Sequence, residues 1–86
     1  MDVTQANVVL GRKLRGLRAE KNLGRKQLSE KSGVPVITIR RIEDGERAAQ
    51  VPVLMDLCRA LDVKLGDFFN AVEAELDKLA SAEPAQ

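Results

Sequence analysis

Four side chains between residues 36 and 41 could act together in recognition. Val36 and Ile37 are aliphatic, Arg40 and Arg41 carry guanidinium groups, and each aliphatic residue stands four positions before an arginine. If this segment is an α-helix, residues four apart lie on the same side, so the four side chains share one face. Guanidinium groups can donate to O6 and N7 of guanine, while aliphatic groups contact thymine methyl groups. Such a face would complement a major-groove edge that contains guanine and thymine.

The surrounding residues predict the helix that carries this face. Gly33 can adopt a positive φ and so opens a tight turn, and Pro35 suits the first helical turn because its missing N–H is not needed there. Gly45 then ends the segment, so we expect a helix over about 35–44. Its opposite face, expected to pack on the protein, is aliphatic and consists of Val34, Ile39 and Ile42.

Apolar residues at helical spacing predict four further helices. The first covers about 5–21, with Thr4 as its N-cap. Its apolar stripe consists of Leu10, Leu14 and Leu17. A short helix over about 25–32 precedes the turn at Gly33, a fourth helix begins near Val51, and a fifth begins near Leu65. Strand-like alternation does not occur, so the predicted fold class is all-α with five helices.

Two of these helices, joined by a short turn around Gly33, form a helix-turn-helix unit. In such units the second helix enters the major groove, while the first lies across the sugar-phosphate backbone. The unit therefore places the face of residues 36–41 where bases are read. Two alternatives stay open: the arginines are ordinary solvated charges, or Val36 and Ile37 are covered by a second subunit or by the body of the protein.

Composition excludes several classes of protein. The 86 residues hold no histidine and one cysteine, so the chain can form no internal disulfide and no zinc site of Cys and His ligands. Cys58, surrounded by apolar residues, is expected to be a small buried core residue. No nucleophile–base pair or phosphate-binding loop is present, so we expect neither an enzyme nor a cofactor or metal. The N-terminus is not a signal peptide and no segment predicts a membrane span, which predicts a cytoplasmic protein.

Charge is divided unevenly along the chain, although the total is only +1. Residues 1–47 hold eleven Lys and Arg against six Asp and Glu, a balance of +5, while residues 48–86 hold three against seven, a balance of −4. A basic half and an acidic half indicate that one surface meets a polyanion and another does not.

The segment "LGRKLRGLRAEKNLGRKQLSEKSGVPVITIRRIEDGERAAQVPVLMDLCRALDVKLGDFF", about residues 10–69, resembles the lambda-repressor-like, XRE-type helix-turn-helix domain. Its most specific piece is "TIRRIEDG" at 38–45, and "LCRALDVKLGDFF" is similar to the two closing helices of the family. The resemblance implies a five-helix lambda-repressor-like DNA-binding domain, here with an extended C-terminal helix. We expect the domain to cover 1–70 and a helical extension with a frayed "SAEPAQ" tail to cover 71–86.

The resemblance also implies roles for individual residues. An arginine late in the first helix and a glutamate late in the third, here Arg18 and Glu43, are expected to form an ion pair. The positions expected to read bases are Val36, Ile37, Arg40 and Arg41. The positions expected to contact phosphate are Arg25, Arg47 and Thr38. At the start of the second helix the family favours Ser or Thr followed by Gln, whereas this chain has Gly24 and Arg25.

The C-terminal helix carries a second apolar stripe, spaced 3, 4 and 3 residues apart, which consists of Phe69, Val72, Leu76 and Leu79. The stripe either folds back over the core of its own chain or packs against a second subunit. We favour a homodimer contact, because proteins of this kind pair to match two half-sites about one helical turn apart.

Two functions fit these features. The first is a sequence-specific regulator of transcription that binds double-stranded DNA, with no small-molecule effector and no separate effector domain within the 86 residues. A repressor is the default, but a small activator or a controller of a neighbouring gene pair fits equally well. The second is a protein–protein interaction module, such as the antitoxin of a toxin–antitoxin pair, for which the Val36–Ile37 patch or the 69–79 helix would be the contact.

Overall fold

Five α-helices make up most of residues 2–82, the part of the chain that this computed structural model describes. The helices are α1 Val3–Glu20, α2 Arg25–Ser32, α3 Val36–Glu43, α4 Val51–Ala60 and α5 Leu65–Ala82. No strand occurs within residues 2–82. The predicted all-α, five-helix architecture is therefore confirmed.

The N-cap of α1 is Asp2, so the prediction of Thr4 as the cap is wrong. Asp2 has an extended backbone, and its Oδ1 accepts a hydrogen bond from the N–H of Thr4 at 3.0 Å. A carboxylate caps a helix at least as well as a hydroxyl. The helix therefore begins at Val3, and Thr4 lies in its first turn.

Gly33 forms the predicted turn between α2 and α3, but α3 is shorter than predicted. Gly33 has a φ of +78°, and its N–H donates to the carbonyl of Ser29. Pro35 keeps an extended ψ of 143° and occupies the N-cap position, so α3 begins one residue later than predicted, at Val36. At the start of α2, Gln27 Oε1 accepts the N–H of Gly24 at 2.7 Å, while a glycine has no side chain to complete the reciprocal cap.

Helices α1, α3 and α4 end in the same way. Each is followed by a residue of positive φ: Asn22 at 56°, Gly45 at 74° and Asp62 at 58°. In each case the N–H of the next residue donates to the carbonyl five positions earlier, at 2.9–3.1 Å. This satisfies carbonyls at the helix ends and turns the chain sharply.

A single aliphatic core lies between the five helices. Helix α1 packs on α3 and α5, α2 packs on α3 and α4, and α4 packs on α5. The largest fully buried side chains are Phe68, Leu14, Leu28, Ile39, Ile42, Leu54, Leu57, Leu61 and Cys58. The predicted burial of Cys58 is confirmed, and burial raises the pKa of its thiol.

The apolar stripe of α5 packs mainly on its own chain. Val72 is buried, and Leu76 and Leu79 are partly buried against the core, whereas Phe69 is 37% exposed. Three of the four residues expected at a dimer contact thus help to cover α1 and the core. The reason is that α5 runs unbroken to Ala82, so its second half lies alongside α1.

The expected domain boundary and the start of the expected tail both fall within α5. The expected domain boundary at residue 70 falls inside α5, and the first two residues of the expected tail, Ser81 and Ala82, are helical. The rest of that tail, residues 83–86, lies outside the described residues. None of the helices described is both long enough and apolar enough to cross a membrane.

Candidate nucleic-acid interface

The outer face of α3 carries the four side chains that the sequence grouped together. Val36 is 42% and Ile37 is 44% exposed, and Arg40 and Arg41 are also exposed. On the opposite side of the same helix Ile39 and Ile42 are buried. The body of the chain therefore does not cover Val36 and Ile37, which removes that part of the alternative interpretation.

A glycine in α1 sets the position of α3. At Gly11 an added Cβ would lie 2.6 Å from the carbonyl oxygen of Glu43 and would also meet that of Ile42. Distances this short are sterically forbidden, so only glycine allows the two helices to approach this closely. The other glycine of α1, Gly16, has no neighbour within 4 Å of such a Cβ.

An ion pair between α1 and α3 joins the two helices beside this contact. Arg18 Nε donates to Glu43 Oε2 at 2.7 Å, and Arg18 Nη2 donates to Oε1 at 3.0 Å. The side chain of Glu43 is fully buried, and Arg18 Nη1 also donates to the Leu23 carbonyl at 2.9 Å. Hydrogen bonding to Glu43 raises the pKa of the Arg18 guanidinium, despite the opposing cost of burial. The two residues that the resemblance paired are thus in contact.

A second arginine shares the same carboxylate, which the sequence did not reveal. Arg25 Nε, at the start of α2, donates to Glu43 Oε1 at 3.0 Å, and Arg25 Nη2 lies 3.9 Å from Asp44 Oδ1. Glu43 therefore connects α1, α2 and α3. The contact depends on how α2 packs against α3 in the folded chain.

Asp44 extends this cluster to the outer face of α3. Its Oδ2 lies 3.8 Å from Arg40 Nη1, one helical turn earlier, while Oδ1 faces Arg25. By contrast, Arg41 forms no salt bridge within residues 2–82. The two arginines of the outer face thus differ: Arg40 has a carboxylate neighbour, and Arg41 does not.

The remaining two candidates for phosphate contact lie close together. Thr38 is half-buried at the edge of α3, Arg47 is exposed in the loop that follows, and both line one small cleft. Arg25, about one-third exposed, does not line this cleft and lies against Glu43. Within the described part of the chain, no three His, Cys, Asp or Glu side chains are placed to hold a metal ion.

A family model described as "Helix-turn-helix domain" matches residues 9–78, most of the chain. The chain belongs to this helix-turn-helix domain family. The predicted resemblance to XRE-type helix-turn-helix proteins is thereby confirmed. The family and the fold are those of DNA-binding regulators, and they give no support to the antitoxin alternative.

Solved structures of regulators share this helix-turn-helix fold. The clp gene regulator ClgR from Corynebacterium glutamicum is 25% identical, with a TM-score of 0.81 over 88% of this chain and 81% of that one. The restriction-modification controller protein C.AhdI from Aeromonas hydrophila is 30% identical, with a TM-score of 0.71 over 73% of this chain and 96% of that one.

A third similar structure is the tetramer of the controller protein C.Esp1396I in complex with its natural 35 base-pair operator. It is 23% identical, with a TM-score of 0.75 over 81% of this chain and 92% of that one, a likeness of fold alone. No curated protein sequence matches the chain significantly.

Proposed function

We propose that this helix-turn-helix protein is a sequence-specific regulator of transcription that inserts α3 into the major groove of double-stranded DNA. The observation that carries the proposal is the outer face of α3, where two aliphatic and two guanidinium side chains are exposed together while Ile39 and Ile42 anchor the opposite face. An inserted helix needs one face that packs and one that reads, and α3 has both.

Within this proposal the outer face divides into two kinds of base contact. Arg40 and Arg41 match the paired acceptors O6 and N7 of guanine, and Val36 and Ile37, one turn nearer the start of α3, match thymine methyl groups. The buried cluster around Glu43 supports this role, because a helix that reads bases must be held in a fixed orientation.

Backbone phosphates would be contacted by Arg25, Arg47 and Thr38. Arg25 is suited to this role by its geometry: its Nε is fixed by Glu43, and its side chain remains about one-third exposed. Arg47 is exposed beside Thr38 in the loop after α3. Such contacts set the position of the protein on the duplex without reading its sequence.

We also propose that the chain acts as a homodimer, as a repressor, in the cytoplasm. A dimer would place two α3 helices in successive major grooves, and pairing of half-sites is the usual route to specificity for a module of this size. Phe69 is the residue of the α5 stripe with the most exposed surface to offer a second subunit. C.Esp1396I, which has a similar fold, forms a tetramer in complex with its operator, and this supports an oligomeric state for the present chain on DNA.

The proposed function is tested by selecting duplexes from a random pool with the wild-type chain and measuring binding at two salt concentrations. A DNA reader that uses several phosphates should select a consensus, and its affinity should fall steeply as salt rises. A chain that enriches no sequence and shifts no duplex at low salt would contradict the proposal.

A further inference from the structure

The carboxylate of Asp44 lies between cations from two different helices. Its Oδ1 lies 3.9 Å from Nη2 of Arg25 on α2, and its Oδ2 lies 3.8 Å from Nη1 of Arg40 on α3. One of these arginines is a proposed phosphate contact and the other a proposed base contact. Asp44 therefore stands at the point where the two kinds of contact meet.

These two ion pairs do little for the stability of the fold. The side chains of Arg25, Asp44 and Arg40 are 31%, 35% and 44% exposed, and the charged groups are nearly 4 Å apart. Exposed pairs of this kind contribute little to folding stability. The backbone at Asp44 needs no carboxylate either, because the residue ends α3 through its N–H, which donates to the Arg40 carbonyl.

The same carboxylate has a larger effect on any polyanion that approaches α3. It neutralises part of the charge of two arginines on the docking surface, and it repels phosphates. Contacts to phosphate supply nearly all the affinity for DNA of the wrong sequence, whereas hydrogen bonds to bases contribute only at the right one. A negative charge here thus penalises non-specific complexes more than specific ones.

We infer that Asp44 is a specificity-determining residue that restrains Arg25 and Arg40 from binding phosphate indiscriminately. In non-specific complexes Asp44 competes with phosphate for the two arginines and so weakens their contacts to phosphate. At the right sequence, Arg40 reaches a guanine edge with its guanidinium oriented by the carboxylate. This inference rests on the proposed function, and it assigns to Asp44 a positioning role rather than a contact with DNA.

The test compares Asp44→Asn with Asp56→Asn. Asparagine keeps the size of the residue and removes the charge. Asp56 is exposed on α4 and forms no salt bridge within the described residues, so its variant makes the same change in net charge away from α3. Each protein is titrated against two duplexes of about 30 base pairs, about three helical turns. One duplex is selected by the wild-type chain from a random pool, and the other has the same composition in shuffled order.

For Asp44→Asn, affinity for the shuffled duplex should rise by up to about eightfold at 0.1 M salt, the gain from about one extra phosphate contact. The salt slope on that duplex should steepen by about one. Affinity for the selected duplex should change less, so the ratio of the two affinities falls. Asp56→Asn should leave that ratio unchanged.

Circular dichroism verifies that both variants are folded. Three results would then overturn the inference. Equal behaviour of the two variants would mean that only net charge matters. An unchanged affinity for the shuffled duplex would mean that Asp44 restrains nothing, and an equal gain on both duplexes would mean that Asp44 does not determine specificity. If the wild-type chain selects no duplex, the proposed function itself is contradicted. That result is obtained before any variant is made, so it is distinguishable from a failure of the inference about Asp44.

Discussion

Arg18 joins α1 to α3 by donating two hydrogen bonds, at 2.7 and 3.0 Å, to the buried carboxylate of Glu43. The partners are 25 residues apart in the chain, so the bond fixes the tertiary placement of the helix that is proposed to read DNA. Because Arg25 shares the carboxylate, α2 is fixed by the same group. One acidic side chain thus links the helix-turn-helix unit to its scaffold.

Removing that side chain should destabilise the protein strongly. Glu43→Ala removes the carboxylate that Arg18 and Arg25 share and leaves Arg18 without its ion-pair partner, and losing one partner of a buried pair costs about 3–5 kcal/mol. Urea unfolding followed by circular dichroism measures the change. Glu73→Ala, at an exposed position in the middle of α5, should stay within about 0.5 kcal/mol of wild type. Equal losses for both variants would refute the structural role of Glu43.

The two glycines of α1 should respond in opposite directions to alanine. Gly11→Ala places a methyl group against two backbone carbonyls of α3, which cannot move without shifting the helix, so we expect a loss of about 1–3 kcal/mol. Gly16→Ala meets no atom within 4 Å and should gain up to about 1 kcal/mol from helix propensity. Thermal unfolding of the pair checks both signs, and a tolerated Gly11→Ala would mean that α1 and α3 lie further apart.

Because of Cys58, the free energy of unfolding should depend on pH in the alkaline range. Burial raises the pKa of its thiol above the ordinary value of 9.0, so above about pH 9 the unfolded chain loses this proton first. The contribution of the protonated thiol to the free energy of unfolding is therefore complete below that pH and declines as the pH rises. Urea unfolding between pH 8 and about pH 10.5 should show a steeper loss of stability for wild type than for Cys58→Ala. Identical slopes would show that the thiol is not buried in solution.

Arg25→Ala should affect both folding and DNA binding. Because Arg25 donates to Glu43 and also faces the solvent, its loss should cost some stability and weaken binding to every duplex alike. The salt slope should become shallower by about one. Fluorescence anisotropy on a selected and a shuffled duplex measures both effects. A loss confined to the selected duplex would mean that Arg25 reads bases instead of contacting phosphate.

Local signals in the sequence were sufficient to predict the helices. Gly33 and Gly45, at positive φ, marked the turns on both sides of α3, and the apolar spacing of Leu54, Leu57 and Cys58 predicted the inner face of α4. The N-cap at Asp2 was not predicted, because Thr4 is also a favoured N-cap residue and apolar spacing does not fix the residue at which the first turn begins.

Contacts between helices were harder to foresee. The pairing of Arg18 with Glu43 came from the resemblance to a family, and the sharing of Glu43 with Arg25 came only from the structure. Similarly, the stripe on α5 has the same spacing whether it covers its own core or a partner. The length of α5 and its course along α1, which place Val72 inside, are properties of the folded chain.

Methylation interference tests most directly whether the outer face of α3 reads bases in the major groove. Methyl groups on guanine N7 lie in that groove and block an arginine. On the selected duplex, methylation at specific guanines should abolish binding by the wild-type chain. Arg41→Ala should lose about 1–3 kcal/mol of specific affinity and become insensitive to one of those guanines. Wild-type binding that tolerates methylation at every guanine, together with an unchanged affinity for Arg41→Ala, would contradict the claim.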